Sequence, residues 1–133
     1  MLIENDPASA KNIMCALEAT DLKSPLVHSN TGEDALNYLK SQNNKKPWII
    51  LLGLNSNGSD GLNLLKTIKI DDHLRIIPVV IIADSSEDQN ITQGFELGVA
   101  GYVVKPQDIS QIPSTIRTIM EYWTLSELPP KEG

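Results

Sequence analysis

Pro47-Trp48-Ile49-Ile50-Leu51-Leu52-Gly53-Leu54-Asn55-Ser56-Asn57-Gly58-Ser59-Asp60-Gly61 opens as an apolar run and closes as the start of a helix. The run stops at Gly53, passes through Asn55, Ser56 and Gly58, and enters the spacing Leu62, Leu65, Ile68, which repeats at helical period. A buried strand, a loop and a helix in that order are what a parallel sheet requires. In such sheets ligands and chemistry gather at the carboxyl ends of the strands, so Gly53 stands where a functional side chain is expected. It has none.

The totals bound what surrounds this unit. At 133 residues the chain is expected to form a single domain, residues 1–133, with 124–133 as a C-terminal extension. Any output has to come from that domain's surface. A formal net charge of −6, with no local cluster of Lys and Arg, argues against binding nucleic acid by phosphate neutralisation. The single cysteine, Cys15, excludes an internal disulfide and fits a reducing compartment. No signal-peptide pattern opens the sequence and no apolar run is long enough to cross a bilayer, so the expectation is a cytoplasmic protein with no membrane partner.

Working outward from the central unit, Met1 to Glu4 is a short apolar start. Asn5-Asp6-Pro7 then leads into a helix through Ala10, Ile13, Met14 and Leu17. Asp6 before Pro7 reads as a helix cap, an acceptor followed by a residue whose missing N–H costs nothing in the first turn. Cys15, beside the apolar positions, reads as a packing residue. Leu26 to Ser29 forms a second strand, and Thr31-Gly32-Glu33-Asp34 leads into a helix with Ala35, Leu36 and Leu39 on its apolar face. His28 and His73 lack a second ligand at metal spacing and read as ordinary strand and loop residues.

Beyond the central unit, Ile76 to Ile82 makes a fourth strand starting near Pro78, and Ala83 to Asp88 a polar loop. Ile91 and Phe95 continue one helical face until Gly98 stops it, and Gly101-Tyr102-Val103-Val104 is a fifth strand. Ile109, Ile112, Ile116, Ile119, Met120 and Trp123 define the last helix. Strand and helix signals alternate with short connections, which gives an α/β fold. Right-handed crossovers favour a flavodoxin-like five-stranded parallel sheet of order 2-1-3-4-5, with helices on both faces.

With these elements placed, the chain resembles the receiver domain of two-component response regulators over essentially its whole length. The resemblance is carried by Glu4-Asn5-Asp6-Pro7, Thr31-Gly32-Glu33-Asp34-Ala35-Leu36, Asp60-Gly61 and Ile77-Pro78-Val79-Val80. It is most specific in Glu96-Leu97-Gly98-Val99-Ala100-Gly101-Tyr102-Val103-Val104-Lys105-Pro106. The ending Glu121-Tyr122-Trp123, with Glu127-Leu128-Pro129-Pro130 after it, looks like the stand-alone receivers that serve phytochrome-type histidine kinases.

That resemblance implies a Mg²⁺ site built on an acidic pair after the first strand, and an Asp ending the third strand that accepts a phosphoryl group. It also implies a hydroxyl ending the fourth strand, an aromatic switch in the fifth and a Lys after it. Carried over position by position, the acceptor position is Gly53, the acidic pair is Glu4 and Asn5, and the switch positions are Ala83 and Tyr102. The conserved lysine position is Lys105, and the backbone carbonyl that would face the metal belongs to Asn55. Glycine cannot be phosphorylated, and one remaining carboxylate makes a poor Mg²⁺ site, so no catalytic residue, no metal and no cofactor are expected. Lys105, deprived of its usual partner, is expected to approach Glu4, Asp84 or a backbone carbonyl near Gly53.

Three readings follow. The first is a pseudo-receiver that is not an enzyme and signals by phosphorylation-independent contact with a protein partner, such as a histidine kinase or another signalling protein. Its fourth helix, fifth strand and fifth helix form the contact face, and the apolar stretch from Trp123 to Leu128 raises a homodimer as one arrangement. The second is a phosphoacceptor that uses a non-standard residue, with Asp6, Asp60, Ser56 and Ser59 as the groups within reach. The third is a small-molecule or anion sensor in the volume vacated at Gly53 and Ala83, with amides near Gly58, Ser59 and Gly61. A flavin is disfavoured, because the first loop reads Glu4-Asn5-Asp6-Pro7 and is no phosphate cradle.

Overall fold

Five parallel strands lie in the order β2-β1-β3-β4-β5, as the alternation of patterns predicts. The structure is a computed structural model and describes residues 1–20, 26–44, 46–54, 59–84 and 88–126, with Ser59 described by its backbone alone. The strands are β1 (Leu2–Ile3), β2 (His28–Ser29), β3 (Ile50–Leu54), β4 (Val79–Ala83) and β5 (Gly101–Val104). The helices are α1 (Pro7–Glu18), α2 (Gly32–Lys40), α3 (Ser59–Ile70), α4 (Asp88–Glu96) and α5 (Ile112–Leu125).

Alternation along the strands divides the core into two layers. Leu52, Leu54, Val79 and Ile81 face α2 and α3, where Ala35, Leu39, Leu65 and Ile68 meet them. Leu2, Leu51, Val80 and Ile82 face the other way, against Ile13 and Leu17 of α1 and Ile112, Ile116 and Met120 of α5. Both faces being covered, β3 and β4 read as continuous apolar runs, with every β4 residue buried.

Register brings the strand ends together. Gly53 pairs with Ile82 and Leu54 with Ala83, so β3 runs one residue beyond Gly53, and Ala83 belongs to the strand that the sequence reading ended at Ile82. Ala83 in turn pairs with Val104, and its carbonyl accepts the Lys105 N–H at 2.8 Å.

The structure corrects four further sequence expectations. The strand expected over Leu26 to Ser29 is regular only at His28–Ser29, since β1 offers it just two partners. The helix expected to begin at Ile109 begins at Ile112. Asp108 caps a 3-10 turn over Ile109–Gln111 and leaves Ile109 63% exposed. Phe95 is exposed, because α4 lies on the sheet through Asn90 and Gly94 instead. A Cβ on Gly94 would stand 3.1 Å from Ile81 Cδ1, so a large side chain there could not approach so closely. Cys15, expected to pack, is exposed on α1. The residues at 127–133 and at 55–58, including Asn55 and Ser56, lie outside the described residues.

Candidate functional site

The residues just after β1 and β4 converge on the Lys105 ammonium that follows β5, with Gly53 of β3 beside Glu4. Each side chain there is delivered by a local feature. Glu4 follows β1 and has its backbone fixed on β2, its N–H donating to the Ser29 carbonyl at 3.1 Å. The His28 ring donates from Nε2 to the Glu4 carbonyl at 2.9 Å. Asp6 caps α1, its Oδ2 accepting the Ser9 N–H at 3.3 Å, with Pro7 in the first turn. The cap places Ser9 in the opening turn, within reach of Lys105. Asp84 follows β4 and is held by its N–H on the Leu54 carbonyl at 3.1 Å.

Lys105 Nζ donates to Glu4 Oε1 at 2.9 Å, Asp84 Oδ1 at 2.9 Å and Ser9 Oγ at 2.6 Å. An ammonium has three donors, and all are used. The expectation that Lys105 approaches Glu4 or Asp84 holds for both at once. Ser9 is a partner that sequence reasoning missed; a serine in a first helical turn carries no signal by itself, and only the reach of Lys105, just after β5, to the start of α1 reveals it. The Lys105 and Glu4 side chains are 14% and 6% exposed, while Asp84 is half exposed. Burial works against the Lys105 charge, but the hydrogen bonds and charges of Glu4 and Asp84 outweigh it, so its pKa ends above the usual lysine value.

Gly53 adjoins this cluster in an unexpected way. A Cβ built on Gly53 would lie 2.6 Å from Glu4 Oε2 and 2.7 Å from Glu4 Cδ. The room that a side chain at Gly53 would need is therefore filled by the Glu4 carboxylate. Beside it lies an open cleft of about 180 Å³, reached by Asn5, Asn30, Thr31, Gly53, Asp60 and Glu4.

The remaining site positions can be placed in turn. Asn5 and Asp60 are exposed at the cleft, Ala83 is buried, and Tyr102 is half-buried against the layer shared with Ile81. Asp6 is committed to its cap. A Mg²⁺ here would meet a Glu4 already paired with Lys105, a neutral Asn5, a Gly53 with no side-chain oxygen and, across the cleft, Asp60, which is a poor ligand set for a hard cation. Among the described residues no cluster of three His, Cys, Asp or Glu has metal-binding geometry. Among the described residues the charged groups lining the cleft, Glu4 and Asp60, are both acids and Lys105 has its three donors in use, while Gly58, one of the amides expected to meet an anion, lies outside the described residues. Among the described residues no helix is long and apolar enough to cross a membrane.

Known proteins share this arrangement of strands and helices. Residues 1–117 match the family model of the response regulator receiver domain. The probable methanogenesis regulatory protein FilR2 of Methanothrix harundinacea is 31% identical over 126 residues, spanning 92% of this chain and 81% of that protein. Response regulator Rcp1 of Synechocystis is 27% identical over 127 residues, spanning 92% of this chain and 86% of its own. In three dimensions the chain is similar to the phosphorylated cyanobacterial phytochrome response regulator RcpA, with a TM-score of 0.87 at 30% identity over 97% of this chain and 96% of that one. The Mn²⁺-bound form of Rcp1 gives the same TM-score at 27% identity, over 97% and 96% of the two chains. With the sheet order, both helical layers and the matched span in agreement, the chain belongs to the response regulator receiver domain family.

Proposed function

We propose that this receiver serves two-component signalling as a protein-interaction module whose binding does not depend on phosphoryl transfer, and that it is not an enzyme. One observation carries the reading. A Cβ on Gly53, which the family resemblance aligns with the acceptor, would meet the Glu4 carboxylate at 2.6 Å, so the space where an acceptor side chain would grow is taken. Neither a nucleophile nor a Mg²⁺ ligand set is offered there, so no metal is required for its action. The partner is a histidine kinase or another signalling protein of the same system. The contact face combines α4, β5 and α5, which expose Phe95, Val104, Tyr122 and Leu125, and a second copy of the chain is one occupant of that face.

The test is incubation with acetyl phosphate and Mg²⁺ followed by intact mass. The expected spectrum shows the unmodified chain alone; one added phosphoryl group defeats the reading. A second reading has support in the relatives, because RcpA is known in a phosphorylated form and Rcp1 with Mn²⁺ bound. On that reading a non-standard residue accepts the group. Asp6, Asp60, Ser56 and Ser59 are the candidates, and fragment masses that place one added phosphoryl group on a single one of them would establish it.

A further inference from the structure

We propose that Glu4 and Gly53 form a coupled pair in which the Glu4 carboxylate is the built-in ligand of the crevice, clamping Lys105 and closing the site to outside anions. The proposal rests on the reading that Gly53 is not an acceptor, and goes beyond it by naming what occupies the site instead.

The first support is steric. With a Gly53 Cβ 2.6 Å from Glu4 Oε2, a side chain at that position and the present Glu4 rotamer exclude one another. Glycine in the interior of a buried strand costs backbone entropy and leaves packing unused, so its presence in β3 marks a close approach by another group. That group is Glu4. The second support is electrostatic. Glu4 is the one acidic side chain buried among the described residues, and a buried carboxylate requires a cation. Lys105 is that cation, at 2.9 Å.

The third support is saturation. The Lys105 donors are shared among Glu4 after β1, Ser9 in α1 and Asp84 after β4, so the clamp ties β5 to three other elements across the top of the sheet. A phosphate arriving at Lys105 has to break one of these bonds and approach two carboxylates. Removing Glu4 takes away the buried one of the two carboxylates, frees one Lys105 donor and opens the volume beside Gly53.

A mutant cycle tests the coupling, with stability read from urea unfolding of the full chain. Gly53→Asp alone is expected to destabilise, because it displaces the Glu4 carboxylate from its place beside Lys105 and crowds two negative charges into one buried space. In a Glu4→Ala background the same Gly53→Asp change is expected to stabilise, because the Asp takes over the space and the ion pair with Lys105. An equal cost in both backgrounds overturns the coupling. Inorganic phosphate is the second probe, followed by amide shifts around Lys105 in NMR titration. Glu4→Ala is expected to bind it about tenfold or more tightly than the unaltered chain. Equal binding by both overturns the closed crevice. Glu4→Gln, which keeps the volume and removes the charge, repeats the titration should Glu4→Ala fail to fold. Phosphorylation of the unaltered chain by acetyl phosphate would remove the proposed function whatever the cycle shows, and additivity in the cycle would remove the coupling whether or not the chain is phosphorylated.

Discussion

Lys105 pairs with two carboxylates at 2.9 Å, and its acidic partner Glu4 is buried with it. Replacing it by Met keeps the apolar stem and removes the charge, which strands the Glu4 carboxylate in a site with little water. Breaking a buried pair from one side typically costs about 3–5 kcal/mol, and the half-exposed Asp84 and the nearby cleft place Lys105→Met near the lower end, about 3 kcal/mol. Urea unfolding at neutral pH measures it. The pH profile gives a second check. The folded-state pKa of Lys105 is raised above its ordinary 10.5, so its contribution is fully present below that value and is lost as pH climbs through the higher folded pKa. The stability gap between the unaltered chain and Lys105→Met is expected to be constant from neutral pH to about 10 and to narrow above it. Much of this residue's setting was legible in the sequence, because strand ends in a parallel sheet share one edge and Glu4, Asp84 and Lys105 all follow strands. The filling of the Gly53 space by Glu4 was not, since it depends on a rotamer that spacing does not encode.

Among the elements, β3 and α4 show how local signals succeed and fail. The β3 run was readable from Ile50 to Leu52 because a strand covered on both faces needs an unbroken apolar sequence; its last residues were not, because Gly53 looks like a terminator and is an interior residue of the strand. In α4 the apolar residues Ile91 and Phe95 suggested the buried face, yet the helix turns Gly94 and Asn90 inward. Close approach of backbone to sheet won over side-chain hydrophobicity, and small residues do not announce such contacts. The end of α4 was legible for a plainer reason. Gly98 has φ +92°, its N–H donates to the Phe95 carbonyl at 3.0 Å, and the Val99 N–H reaches the Gly94 carbonyl at 3.1 Å. A side chain there meets only the Lys69 stem at 3.9 Å, so the cost of Gly98→Ala is conformational and not a clash. That cost is expected to be about 1 kcal/mol, the typical penalty for an L-residue in the left-handed region. Thermal unfolding measures it, and an unchanged midpoint would show that the turn relaxes.

For the molecule as a whole, net charge and the exposed apolar residues act against one another. A formal charge of −6 makes two copies repel at long range, whereas Phe95, Val104, Tyr122 and Leu125 leave apolar surface uncovered on α4, β5 and α5. The two forces respond differently to salt. Screening shortens the repulsion, from a range of about 14 Å at 0.05 M to about 4 Å at 0.5 M, and leaves apolar burial intact or strengthened. Association through this face is therefore expected to strengthen as salt is raised between those limits, which sedimentation equilibrium reads as a rising average mass. Phe95→Ser with Tyr122→Ser is expected to abolish the rise without unfolding the chain, because both side chains are more than half exposed and neither belongs to the buried core. Association that weakens with salt would assign the contact to paired charges instead. A monomer throughout would leave the face to a partner protein, whose binding should then follow the same salt dependence only if that partner is acidic too.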